Sequence, residues 1–582
     1  MKTTIHLSAF AIFASTLITM TGSLMPDSSP EFRPAETKDH NELLQKEAIV
    51  LHTDRDRYIA GEQIWFSITT IGSPNGIIST MSSLAYVELL NPWNMPVIQS
   101  RFSLSEGRGE GCLQLPDTLR SGTYTVRAYT NHMKNFPVET YFIHEVQIYN
   151  AFSNLSFLEK KRQPSSAAFY SDYEKTDGLP ETAKLVFDSV FGRRSKVTLS
   201  IETGLNEISS LCISAVPSGS KENSQVNTNY KIDSAPGPER FSYEKNGHWL
   251  NLKVKYRGGS ESDSIRYLFR SVQGKVAEFS YAERDSAGSY SFLLPVDDIT
   301  RNFIIQPEVA SKNISLEIVP SFSWQIPVSN YFPAVLPDSI LGIFSQLSFN
   351  YQASRIYKIT TSRNKPQSLN FQSKKRRFYG IPEMEVILAD YISLPTMQEV
   401  FFELLPGIIL KPVKNSYEIR ITNPLTGSFY AEPPLVMIDG IIINDLNVLA
   451  DLNPERVEKV EVVKTPYLTG DRILHGIVNV ITKTGDFSDI SMPEYAVMLP
   501  YKVVEEVPGF VAPDYSDPKV MISRTPDLRN TLYWNPLLKT DSSGKANLTF
   551  HTSDLPGNYN IYVHGISDSG KIVVVRKSFR VR

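Results

Sequence analysis

The sequence predicts a mainly β protein: tandem β-sandwiches with one small α/β domain among them and no transmembrane barrel. Three observations predict it. Aromatic residues and turn formers are both plentiful, with 28 Tyr and 30 Phe beside 31 Gly and 37 Pro in 582 residues, a mix that favours short strands in packed sheets. Segments of alternating polarity recur along most of the chain. Helical spacing of apolar residues is confined to the stretches near 395–405 and 445–456.

At the N-terminus, Lys2 precedes an apolar stretch from Ile5 to Ile18, followed by the small residues Thr21, Gly22 and Ser23. This reads as a secretory signal over 1–23. Ser8, Ser15 and Thr16 interrupt a run already shorter than the ~20 residues of a membrane span. Residues 24–46, with Pro26, Pro30 and Pro34, read as a linker. A sandwich is expected over 46–150, where Ile64–Ile68, Tyr86–Leu90 and Tyr124–Tyr129 alternate. Two more are expected at 180–245 and 247–322, the latter of carboxypeptidase-regulatory or transthyretin-like type, and a last one at 496–582. Residues 323–375 read as a linker with a helix.

A motif repeats across these regions. Ser121-Gly122-Thr123-Tyr124, Ala287-Gly288-Ser289-Tyr290 and Pro556-Gly557-Asn558-Tyr559 share Gly-x-Tyr before an alternating strand. A tyrosine so placed packs its ring inward and hydrogen-bonds its hydroxyl to a loop, as at the corner of an immunoglobulin-like sandwich.

The α/β domain is expected over 376–486. Met397, Val400, Phe401, Leu404 and Leu405 share one helix face. Thr396 and Glu399 have capping-box spacing, and Pro406-Gly407 stops the helix. Leu446, Leu449 and Leu452 make a second short face before Asn453-Pro454-Glu455, a helix start. Strands are expected at 417–422, 434–438, 457–464 and 476–483.

Two resemblances follow from these residues. Leu51-His52-Thr53-Asp54-Arg55, then Tyr58-Ile59-Ala60-Gly61-Glu62-Gln63-Ile64-Trp65-Phe66, with Ser121–Phe136 as a later strand, resembles the MG2 domain of bacterial α2-macroglobulins. Thr531–Pro536 with Thr540-Asp541 and Gly544 is similar to a later macroglobulin sandwich. Pro434–Gly440, Leu452–Lys464 and His475–Lys483 resemble, in order and spacing, the plug domain of TonB-dependent outer-membrane transporters, especially those of the glycan-importer type, and with the MG2 resemblance this implies an exported protein of Bacteroidota type. Thr465 stands where that family usually has Gly. A transporter's barrel of about 22 strands, each of about 10 residues, does not fit in the fewer than about 100 residues that follow Gly485. The chain therefore reads as a plug without a barrel.

The chemistry of an enzyme is not legible. The sequence has no His-Glu-x-x-His pair, no Gly-x-Ser-x-Gly elbow and no P-loop. The Cys-Gly-Glu-Gln thioester of protease-trapping macroglobulins is missing, since Ala60 precedes Gly61-Glu62-Gln63. The two cysteines, Cys112 and Cys212, are expected in different domains as buried free thiols. Asp54, Asp56 and Glu62 offer oxygen ligands for Ca²⁺ but read more simply as a solvated loop. Lys374-Lys375-Arg376-Arg377 reads as a solvated linker, and Asp439 as a turn residue rather than a catalytic carboxylate. No catalytic, cofactor or metal residue is assigned. Lys plus Arg (59) nearly balance Asp plus Glu (62), so no charge footprint for nucleic acid exists.

The expected function is that of a non-enzymatic cell-envelope protein of a Gram-negative bacterium, periplasmic or associated with the outer membrane, peripheral attachment included. It would dock a protein of an outer-membrane transport or assembly complex, such as a transporter or barrel, through the plug-like domain. Tyr467 and Arg472, in what reads as a surface loop over 465–472, are the candidate contacts. The alternative is a thioester-less, macroglobulin-like protease-binding protein, with 487–530 as bait and Lys502, Arg524 and Arg529 as its cleavage sites. A glycan-binding sandwich would need Trp93 or Trp249 as a platform, and both read as core.

Overall fold

The computed structural model describes residues 46–73, 76–151, 182–221, 241–256, 265–296, 300–308, 314–325, 338–357, 362–363, 376–487, 490, 492 and 495–582. The signal expected over 1–23 and the linker expected over 24–46, except Lys46, lie outside them. The chain divides into two compact units. The larger takes the described residues of 39–270, 280–374 and 494–582, the smaller those of 271–279 and 375–493. Among the described residues no helix is long and apolar enough to cross a membrane.

The larger unit begins with a sandwich. One sheet has the order Lys46–Thr53, Gln63–Ser73, Arg108–Gln114; the other has the order Arg57–Ile59, Phe142–Tyr149, Gly122–Tyr129, Leu84–Leu90, Pro96–Ser103. Alternation along Gln63–Ser73 sends Ile64, Phe66 and Ile68 into the core with Leu51, Tyr86, Val126 and Tyr129. Gly111 lies opposite Phe66 in the register. A Cβ there would sit 2.1 Å from the Phe66 ring, so glycine is what admits the aromatic side chain.

The second sandwich corrects the expected boundaries. Ser209–Pro217 is paired on one side with Gly557–Ser567 and on the other with Tyr533–Lys539. Across the core, Lys196–Glu202 pairs with Lys545–His551. The segments expected as separate domains at 180–245 and 496–582 are therefore halves of one sandwich, sharing one core of Leu199, Ile213, Ile561, Val573 and Phe579. The third sheet pair starts at His248–Tyr256 and extends past residue 322 in sequence, because Val497–Lys502 pairs antiparallel with Thr300–Pro307. Alternation marks a strand but does not say which strand lies beside it.

A helix, Asp338–Ile356, packs Phe344 and Leu347 onto Ile59. Trp65, Cys212 and Trp534 form a cluster against which Cys112 and Phe510 pack. The two cysteines thus belong to different sandwiches that share one contact. Both are free, Cys212 buried and Cys112 half-buried.

The smaller unit is an α/β layer. Its mixed sheet has the order Met384–Ile387, Val457–Val463, Ile477–Thr482, Leu435–Ile438, Ile441–Ile442. Leu435–Ile438 runs parallel to Ile477–Thr482; the other pairs are antiparallel. The helix Met397–Leu404 buries Met397, Val400 and Phe401, and the Thr396 side chain accepts the Glu399 N–H at its start. Asp439 and Gly440 have φ of 46° and 77°, the two positive values that a two-residue type I′ hairpin requires.

Candidate docking surface

The titratable side chains that sequence singled out serve as internal ties. Asp54 is buried: its Oδ1 accepts the Tyr58 hydroxyl at 2.8 Å and the Trp65 N–H at 3.1 Å, and its Oδ2 accepts the Thr531 hydroxyl at 2.5 Å. Arg55 spans Asp54 and Glu62, and the Asn530 amide donates to Glu62 Oε1 at 2.7 Å. The loop is therefore not solvated. Its acids knit the first sandwich to the start of the strand at 533, and Asp56 pairs with His144 at 3.1 Å. Among the described residues no group of three or more His, Cys, Asp or Glu is placed to hold a metal ion.

Asp439 is likewise buried, with Oδ2 accepting the Thr482 hydroxyl at 2.6 Å and the Phe487 N–H at 3.0 Å, and Oδ1 the Thr482 N–H at 2.7 Å. Arg377 departs from the expected solvated linker: its guanidinium pairs at 2.6 Å with Glu461, which is buried and also accepts the Tyr379 hydroxyl at 2.5 Å. Burial, with the Asp54 and Glu505 carboxylates nearby, pushes the Cys112 thiol up to about 12. Burial pushes Cys212 up to about 11. Neither is a ready nucleophile at neutral pH.

The stretch expected as a surface loop is a hairpin, Tyr467–Thr469 paired with Arg472–Leu474, closed by Gly470-Asp471. Side chains alternate across it. Tyr467 and Leu474 form one cross-strand pair and face inward. The Tyr467 hydroxyl donates to the Phe378 carbonyl at 2.5 Å, and its ring meets Phe378 edge-on at 5.7 Å. Phe378 in turn contacts Phe279 and Tyr379. Arg472 is half-buried. The two expected contacts are thus on the anchored face. The outward pair is Leu468 with Ile473, 66% and 55% exposed. Sequence held this signal, two large aliphatic residues one hairpin turn apart, but hot-spot composition favoured Tyr and Arg.

No protein-family model matches the chain and no curated protein matches it. Among solved structures, the chain is similar to Salmonella α2-macroglobulin reacted with methylamine: 8% identity, TM-score 0.24, covering 92% of this chain and 39% of that one. Escherichia coli α2-macroglobulin activated by porcine elastase gives 8% and 0.24, covering 92% and 44%. A tetra-tandem repeat of a large adhesion protein gives 8% and 0.11, covering 92% and 99%. The chain spans 39 to 44% of the length of these two macroglobulins. Likeness at this level assigns neither family nor function.

The remaining geometry is that of a surface. On the smaller unit Ile381, Ile392, Phe402 and Leu425 are also strongly exposed. Glu383 ties the stretch after Ile381 to the hairpin, accepting the Lys464 and Thr465 N–H groups at 3.1 and 3.0 Å. Large apolar side chains are thus left in water at several positions of this unit. Of the expected bait sites, Arg529 is buried, with its guanidinium on Asp527. Lys502 ends a paired strand, and Arg524 is exposed. Trp249 is half-buried, and Trp93, expected in the core, is exposed.

Proposed function

We propose that this chain is a non-enzymatic, exported cell-envelope protein whose α/β unit docks a partner protein of an outer-membrane transport or assembly complex. The observation that carries the reading is the outward pair Leu468 and Ile473 on a hairpin anchored from behind by Tyr467 and Phe378. A rigid base with an exposed aliphatic tip lowers the ordering cost of binding. The export-type N-terminus and the plug-like order of strands read from the sequence support the envelope compartment and this class of partner. The test is affinity purification from gently solubilised envelopes with wild type and with Leu468→Asp/Ile473→Asp. Loss of a co-purifying protein at unchanged melting temperature supports the reading; an unchanged pull-down refutes it.

The protease-binding alternative keeps one favourable observation, the exposure of Arg524. Limited trypsin digestion separates the two readings. A trap is cut there and then changes its hydrodynamic radius; a docking protein does not.

A further inference from the structure

The first two sandwiches meet through polar as well as apolar side chains. Alternation along Lys46–Thr53 turns Leu51 into its own core and His52 outward. Along Ser209–Pro217 and Gly557–Ser567 it turns Leu211, Ile213 and Val563 inward, and Cys212 and His564 outward. Across the contact between the two sandwiches, His564 Nδ1 lies 3.1 Å from His52 Nδ1. Cys212 and His564 are directly opposed in the strand register, which sets Cβ atoms about 4.5–5.5 Å apart. The Cys212 thiol meets the Ser67 hydroxyl, and Ser67 is directly opposed to His52. Two imidazoles and a thiol are thus neighbours at one point of this contact.

Donor type, spacing and charge narrow what such a set binds. Burial holds both imidazoles in the neutral form that ligates metals. Two nitrogens about 2.0 Å from one ion lie about 3.3–3.5 Å apart at tetrahedral to trigonal angles, so these two need to part by only a few tenths of an ångström. A thiolate with two imidazoles is a soft set that suits copper(I) or zinc(II). Lys221 decides between them. Its ammonium donates to the Thr53 carbonyl and acts on His52, His564 and Cys212 alike. The nearby Asp54 carboxylate is already balanced by Arg55. A monovalent ion and one thiolate cancel, whereas a divalent ion leaves a net positive charge buried beside that ammonium.

We propose that His52, His564 and Cys212 bind a copper(I) ion between the first two sandwiches. Both imidazoles ligate through Nδ1 and keep their proton on Nε2. As the side chains stand, no three donors converge among the described residues. The Cys212 side chain therefore turns from Ser67 to the ion, and its thiol proton leaves to solvent as the copper–sulfur bond forms. Because the ligands come from both sandwiches, the ion ties the two together. The site is independent of the α/β unit and of the docking reading above.

The probe is copper(I) itself, presented without oxygen to the full mature chain as its coloured bicinchoninate complex. It is offered both to the native chain and during dilution from urea, so that a closed interface does not bar its entry. Wild type is expected to withdraw one equivalent and to melt at a higher temperature with it than without. Cys112→Ser should behave as wild type does. Cys212→Ser and His52→Gln should each weaken binding by more than about 100-fold, the upper end of what changes outside a ligand set cost. Their melting temperatures without metal show that they are folded. No withdrawal by wild type along either route overturns the proposal. So does a loss in Cys112→Ser equal to that in Cys212→Ser, or binding unchanged in His52→Gln, because copper would then sit on a thiol elsewhere or on a thiol alone.

Discussion

Tyr124 and Tyr559 close the same corner. Each ring is buried at a strand start, and each hydroxyl donates to the carbonyl four residues upstream, Arg120 at 2.9 Å and Leu555 at 3.0 Å. Tyr290 is equally buried but reaches Ile265, 25 residues away, at 2.6 Å. The shared Gly-x-Tyr pattern foretold the burial of all three, whereas the hydroxyl partner depends on the loop that each strand happens to face. Tyr124→Ala should cost about 3–5 kcal/mol and Tyr124→Phe about 1 kcal/mol, measured by urea denaturation. His52 and His564 give a pH signature. His564 is buried and His52 half-buried, with their Nδ1 atoms 3.1 Å apart between the first two sandwiches. Burial, helped by Lys221, holds His52 down to about 3 and lowers His564 in the same direction. Unfolding frees both to take a proton near the ordinary value of 6.5. Their contribution is therefore complete above that value and lost as pH falls below it, at about 1.4 kcal/mol per pH unit for each histidine. Urea melts at pH 7 and pH 5 should differ accordingly, and the difference should shrink in His52→Gln/His564→Gln.

Elements differ in how far sequence exposes them. The helix Met397–Leu404 and the Asp439-Gly440 turn were legible because a cap, a stop signal and a turn dipeptide act locally. The partnership of Ser209–Pro217 with Gly557–Ser567 was not, because it joins strands some 350 residues apart and leaves no mark in either. The hairpin at 467–474, which reads as a loop in the sequence, differs for a third reason. Period-two alternation puts Tyr467 and Leu468 on opposite faces, so a choice by residue type selected the anchored side. Two predictions belong here. A chain ending before Thr531 should lose the whole second sandwich, because Ser209–Pro217 then lacks both neighbours; amide exchange over 196–217 should rise to that of an unfolded segment. Tyr467→Ala should lower the melting temperature through loss of its contact with Phe378, while Leu468→Asp/Ile473→Asp should leave it nearly unchanged.

On the scale of the molecule, the chain order is nested. The second sandwich is opened after Pro217 and completed only from Tyr533 onward. Between those points lie the third sheet pair, opened at His248 and completed at Val497–Lys502, and within that interval the α/β unit of 376–487. In chain order the α/β unit is thus an insertion between strands of that sheet pair. Sequence placed the unit by its own motifs but could not show the nesting, which exists only in the strand pairing. The claim that this unit presents a docking face through the tip of its hairpin is tested most directly by affinity purification from solubilised envelopes with Leu468→Asp/Ile473→Asp beside wild type. The account predicts that one envelope protein disappears from the eluate while the variant melts as the wild type does. Recovery of that protein in equal amount from the variant would contradict it.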